Sequence, residues 1–128
     1  MTRHVALYLP SLEGGGAEKM MAAIATGLAA RGMRVDLVLA RAHGTYLAEV
    51  SSGVNIVDLD SRGVLASLPR LRRYLARERP EAVLGTLPYA NLALLWTARS
   101  VDRRIRVYLR EATTPSVVES GTYGRKTR

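Results

Sequence analysis

Apolar residues along the chain change their spacing at regular intervals. Residues 5–9, VALYL, form a short apolar run rich in strand formers and bounded by Pro10, as a strand buried on both faces should be. From Ala17 the period becomes helical. Ala17, Met20, Met21, Ile24, Ala25, Leu28 and Ala29 make one apolar stripe, and Gly32 closes it as a C-terminal cap. Residues 35–40, VDLVLA, and 54–59, VNIVDL, predict a second and a third strand, with RAHGTYLAEVSSG between them read as a loop holding one helical turn. Leu68, Leu71, Tyr74 and Leu75 give a second helical stripe, with Pro69 near its start and Pro80 beyond its end. AVLGT at 82–86 predicts a fourth strand. A helix near 90–100 carries the stripe Leu92, Leu95, Trp96 and Arg99, and IRVYLR at 105–110 predicts a fifth strand.

Apolar strands that alternate with helices pair in parallel through right-handed crossovers. The expected fold is therefore α/β, a Rossmann-like open parallel sheet with helices on both faces. Ligands of such sheets bind beyond the carboxyl ends of the strands, which selects residues 10–18, 41–46, 86–91 and 110–116. One domain over residues 1–116 accounts for this alternation. Residues 117–128 show no clear period and are set apart as the start of a further segment or a truncated tail.

The first selected segment contains three consecutive glycines, Gly14, Gly15 and Gly16, between strand and helix. A helix starting near Gly15 or Gly16 leaves its first amides without intrahelical partners, pointing with the positive end of the helix dipole toward the mouth of the sheet. With no Cβ in the way, an anion such as a phosphate can approach them. The alternative is that the glycines only let the chain turn and the helix pack, with Glu18 favourably placed beside the dipole. Two familiar glycine motifs do not fit. A dinucleotide fingerprint needs a third glycine where Lys19 stands and an acid at the end of the second strand, whereas Asp36 lies near that strand's start. A nucleotidase-type phosphate loop needs Gly-Lys, and the pair is absent.

Composition narrows the chemistry further. The 128 residues contain no Cys, which removes disulfides, thiolate zinc sites and Cys nucleophiles and fits a reducing compartment. Only two histidines, His4 and His43, are present, far apart in sequence, so no metal site is expected. No apolar run approaches the roughly 18 residues of a membrane span. The opening residues, broken by Pro10 and lacking a small-x-small cleavage site, read as a strand rather than a secretory signal. The expected location is the cytoplasm, with peripheral contact at the inner face of the cell membrane as an option.

The net charge of +8 is unevenly placed: residues 1–61 carry five basic and six acidic side chains, and residues 62–128 carry fourteen and five. Arg70, Arg72, Arg73, Arg77 and Arg79 crowd one predicted helix. They read either as a solvated charged face or as a surface attracted to anionic lipid headgroups, at about 1 kcal/mol per base near the membrane. Nucleic-acid binding is not expected: Phe is absent, aromatic residues do not interleave with the bases, and no recognised module occurs.

The stretch LYLPSLEGGGAEKMMAAIATGLAARGMRVDLVLA resembles the opening of family 4 glycosyltransferases, with its strand, Gly-Gly-Ala-Glu turn, and helix ending in Arg-Gly before a second strand. RYLARERPEAVLGTLPYANLALLWTAR and VYLREATTPS are similar to later parts of the same domain, so the resemblance covers about residues 4–116. It implies the amino-terminal, acceptor-side half of a GT-B architecture. Such enzymes transfer a hexosyl group from a nucleotide diphosphate sugar to a glycan or lipid-linked acceptor, with retention, without a metal and with no cofactor besides that co-substrate. On this resemblance Gly14, Gly15 and Gly16 approach the donor diphosphate, while Thr86, Tyr89, Asn91, Arg110 and Glu111 lie on the acceptor side of the cleft.

Asn91 can equally be a helix N-cap, and Arg110 and Glu111 can be a local ion pair. Members often place a His near the exit of the strand equivalent to 105–110, where this chain has Arg110-Glu111-Ala112. No catalytic residue is assigned. The carboxyl-terminal donor-binding domain is not in the sequence, so the expectation is a fragment of a longer enzyme, inactive alone. The alternative is a Rossmann-like module that binds a phosphorylated ligand or partner without chemistry.

Overall fold

The computed structural model describes residues 3–13 and 15–110. Its five strands, β1 (His4–Leu9), β2 (Arg34–Leu39), β3 (Val54–Asp58), β4 (Ala82–Thr86) and β5 (Arg106–Arg110), form one sheet in the order β3-β2-β1-β4-β5. Every pairing is parallel. This is the expected Rossmann-like α/β arrangement, with strand order reversing around β1. A short 3-10 helix, Thr45–Glu49, supplies the single turn expected between β2 and β3.

Period-2 alternation divides the core. Leu7 and Leu9 of β1, with Val35, Leu37 and Leu39 of β2, face helix α1 (Gly16–Ala30), where Met21 and Ala25 complete the packing. Ala6, Tyr8 and Val38 face the other way, toward helices α2 (Val64–Glu78) and α3 (Pro88–Val101). Each fully buried leucine in these layers contributes about 1.5–3 kcal/mol.

Helix α1 ends in a Schellman motif: the amide of Gly32 donates to Ala29 at 3.0 Å and that of Met33 to Leu28 at 3.3 Å. Gly32 takes the left-handed φ of 89° that the motif requires. Two helical expectations change. Helix α2 begins at Val64, so Pro69 lies inside it rather than near its start. Its missing N–H removes the helical bond that the carbonyl of exposed Leu65 would otherwise accept.

Helix α3 buries Ala90, Asn91, Ala93, Leu94, Thr97 and Ala98, not the stripe of Leu92, Leu95, Trp96 and Arg99. The reason is a close approach: a Cβ on Gly85 of β4 would lie 2.6 Å from Asn91 Oδ1 and 2.8 Å from Leu94 Cδ2. The missing side chain lets the face of Ala90, Asn91 and Leu94 sit this near the sheet, Leu95 packs at the edge of the core, and Leu92 and Trp96 turn outward.

One buried polar hub holds the amino-terminal end of the sheet. Asp36, fully buried, accepts from His4 Nε2 at 2.8 Å, from Asn55 Nδ2 at 3.2 Å and from the Tyr74 hydroxyl. Burial alone would raise its carboxyl, but the hydrogen bonds from Tyr74, His4 and Asn55 outweigh it and hold the group below the usual carboxylate range. Burial, then the bond to Asp36, push the Tyr74 phenol well above its ordinary value. The hub is a structural cross-link, since it lies at the end of the sheet opposite the ligand-binding edge.

Candidate functional site at the carboxyl edge of the sheet

β1 runs into the chain's glycine turn through Leu12, which is fully buried. Gly15 caps α1 with φ 149° and ψ 154°, a backbone region that side chains rarely adopt. The first helical bond runs from the Lys19 amide to the Gly15 carbonyl at 3.1 Å. The amides of Gly16, Ala17 and Glu18 therefore stand at the helix's positive end without partners among the described residues. Gly15 and Gly16 are exposed, and a Cβ on Gly16 would meet nothing within 4 Å. Gly14 lies outside the described residues.

The neighbourhood is not bare. The Glu18 carboxylate folds back over Gly15, with Oε1 in the place a side chain on Gly15 would take. A carboxylate beside the first turn stabilises a helix by about 0.3–1 kcal/mol, and it also opposes the approach of another anion.

The loop after β2 braces this turn. The Leu12 amide donates to the His43 carbonyl at 2.8 Å, and the Tyr46 amide donates to the Leu12 carbonyl at 3.1 Å. His43 Nε2 lies 2.7 Å from Glu13 Oε2. Gly44, at φ 134°, packs so closely on the Leu12–Glu13 backbone that no Cβ fits between them. Sequence reading placed residues 41–46 at the mouth but missed this bracing; the isolated Gly44 was the available signal.

The third part of the edge is the end of β4 and β5. Thr86 Oγ1 donates to the Arg110 carbonyl at 3.4 Å, and Asn91 Nδ2 donates to the same oxygen at 3.2 Å. Both side chains are buried, so they tie α3 and β4 to the exit of β5 rather than facing open space. Leu87, not Asn91, is the N-cap of α3, and its φ of 78° is a strained value for leucine at the mouth. Arg110 is half-buried, with one guanidinium nitrogen buried and unpartnered among the described residues.

Thr86, Asn91 and Arg110 are thus brought together. Tyr89 is not: it stands on the outer face of α3, in a groove shared with α2. Glu111 lies outside the described residues. His4 and His43 lie in separate places, one in the Asp36 hub and one beside Glu13.

The crowded arginines do not form one free face. Arg70 reaches the Leu59 carbonyl at 2.9 Å, Arg72 reaches Ser100 Oγ at 3.3 Å, Arg77 pairs with Glu78 and Arg79 with Asp102. Among the described residues, no helix is long and apolar enough to cross a membrane.

Compared with known families, the chain matches the glycosyl transferase 4-like domain over residues 15–125, from the cap of α1 onward. A search of the curated proteins found no match.

Proposed function

Because the chain belongs to the glycosyl transferase 4-like domain family, we propose that it forms the acceptor side of a retaining transferase that uses a nucleotide diphosphate sugar. The observation that carries this reading is the glycine turn at the end of the central strand: three amides without partners among the described residues, the first of them on exposed Gly16, at the carboxyl edge where α/β sheets bind ligands. A departing diphosphate gains negative charge in the transition state, and amides already aimed at it stabilise that charge without reorganising. Gly15 and Gly16 are the donor-facing contacts. Arg110, held at its carbonyl by Thr86 and Asn91, supplies a cation at the same edge for a glycan or lipid-linked acceptor.

This half holds only part of a donor site. Transfer requires a second, donor-binding domain across the cleft, and the chain alone is inactive. The reaction needs no cofactor beyond the nucleotide sugar.

The test is Gly16→Val in the complete enzyme, assayed against a panel of nucleotide sugars. The space around Gly16 is empty, so the fold survives, but the branched side chain stands before the amides. A loss of turnover of about 100-fold, the size of a lost oxyanion-type contact, is expected. Unchanged turnover returns the glycines to a packing role and leaves a module that binds without chemistry as the better reading.

A further inference from the structure

Helices α2 and α3 turn an apolar surface outward. Leu65 is 81% exposed, Trp96 72%, Tyr89 64% and Leu92 59%, although each is a side chain that gains by burial. Their spacing explains the alignment: Tyr89, Leu92 and Trp96 recur at three and four residues on one face of α3, as do Leu65, Leu68 and Arg72 on α2. Between the two ridges runs an open groove whose two sections, of about 520 and 430 Å³, share Leu68 and Trp96. The groove starts beside the carboxyl edge of the sheet, where both helices begin, and ends at Arg72.

The stretches of chain that form its two walls carry charge of one sign. From Ser61 to Arg77, and again from Ala82 to Val101, the chain carries no carboxylate. Among the described residues, Arg72 contacts the hydroxyl and carbonyl of Ser100, and Arg99 the carbonyls of Arg103 and Ile105, so neither charge is neutralised by these contacts. Arg73, the next residue of α2, is exposed.

We propose that this surface is a membrane-docking site, in which Leu65, Leu92 and Trp96 enter the interface of a bilayer rich in anionic lipid. Arg72, Arg73 and Arg99 then meet the headgroups. Aliphatic residues with a Trp and a Tyr suit the boundary between acyl chains and headgroups, and the arginine stems lie along apolar surface while their charges reach water and phosphate. The absence of carboxylates from residues 61–77 and 82–101 favours an anionic lipid surface. The contact differs from a general attraction of α2's arginines, because Arg70, Arg77 and Arg79 are engaged elsewhere and the apolar ridge lies on the α3 side. It does not depend on the transfer reaction.

Trp96 is the only tryptophan in the chain, so its emission reports this site alone. The full chain is titrated with vesicles of phosphatidylcholine, with and without phosphatidylglycerol, while fluorescence and co-sedimentation are followed. A blue shift and sedimentation with the anionic vesicles are expected, both weakened by salt. Each arginine replaced by Gln among Arg72, Arg73 and Arg99 weakens binding by about fivefold. The double variant Leu65→Ser and Leu92→Ser weakens it at least tenfold with only a small loss of urea stability, because both side chains are largely exposed and Ser is only a slightly weaker helix former than Leu. Three results overturn the proposal: no shift with anionic vesicles, equal binding by the double variant, or a shift that follows protein concentration without lipid, which assigns the groove to a second copy. None of them bears on sugar transfer.

Discussion

Asn91 Oδ1 stands 2.6 Å from where a Cβ on Gly85 would be, so strand β4 and helix α3 touch through the absence of a side chain. Gly85→Ala must push α3 away from the sheet or displace Asn91 from the Arg110 carbonyl. Urea unfolding is expected to show a loss of about 1–3 kcal/mol, the usual range for overpacking. Gly27 is the control: it is exposed within α1 with nothing within 4 Å of its missing Cβ. Gly27→Ala is expected to stabilise by about 0.5–1 kcal/mol through helix propensity. Equal effects at the two positions would contradict this account of α3.

Gly44 and Leu12 hold the glycine turn from outside. Gly44→Val introduces both a strained φ and a clash with backbone that cannot rotate aside. The expected cost is about 2–4 kcal/mol. Hydrogen exchange at the Leu12 and Tyr46 amides, which bridge the two loops, should accelerate more than exchange in β4. Uniform acceleration would mean that the loops do not move as a unit.

Tyr74 and Asp36 make stability depend on acid. Asp36 titrates below its ordinary value, so it stabilises the fold fully above the ordinary carboxylate range and loses that contribution as pH falls through the depressed value. Tyr74→Phe removes one donor to the buried carboxylate and should cost about 1.5–3 kcal/mol near pH 7, the range for bonds to charged groups. That cost should shrink in acid, as Asp36 is protonated. Thermal melts of the two proteins from pH 7 to pH 3 give the comparison; a constant difference would separate Tyr74 from the titration.

Glu18 stands over Gly15 and competes for the field of the same amides. Glu18→Gln keeps the shape and removes the charge. Helix stability should fall by about 0.3–1 kcal/mol, while the complete enzyme should bind nucleoside diphosphate a few-fold more tightly. Calorimetric titration with the diphosphate decides this. Weaker binding would show that the carboxylate orders the turn for its ligand.

The alternation of periods along the chain determined the class of fold, the five strands and the parallel pairing, because short strand-forming runs alternating with helical stripes pair in parallel, and the inner strand β1, buried on both faces, leaves a continuous apolar run. It also placed the glycine turn at the ligand-binding edge, since strand, glycines and helix are contiguous. Contacts between distant residues were a different matter. Nothing in the local pattern says that Gly85 lets the Asn91 and Leu94 face of α3 onto the sheet while Trp96 turns outward, or that Gly44 braces Leu12. Nor does it join His4, Asp36, Asn55 and Tyr74, which the register of β1, β2 and β3 and the rotation of α2 bring together. Local spacing records which face of an element is apolar; which face is buried is decided by how closely its neighbours can approach, and only the folded chain sets that distance.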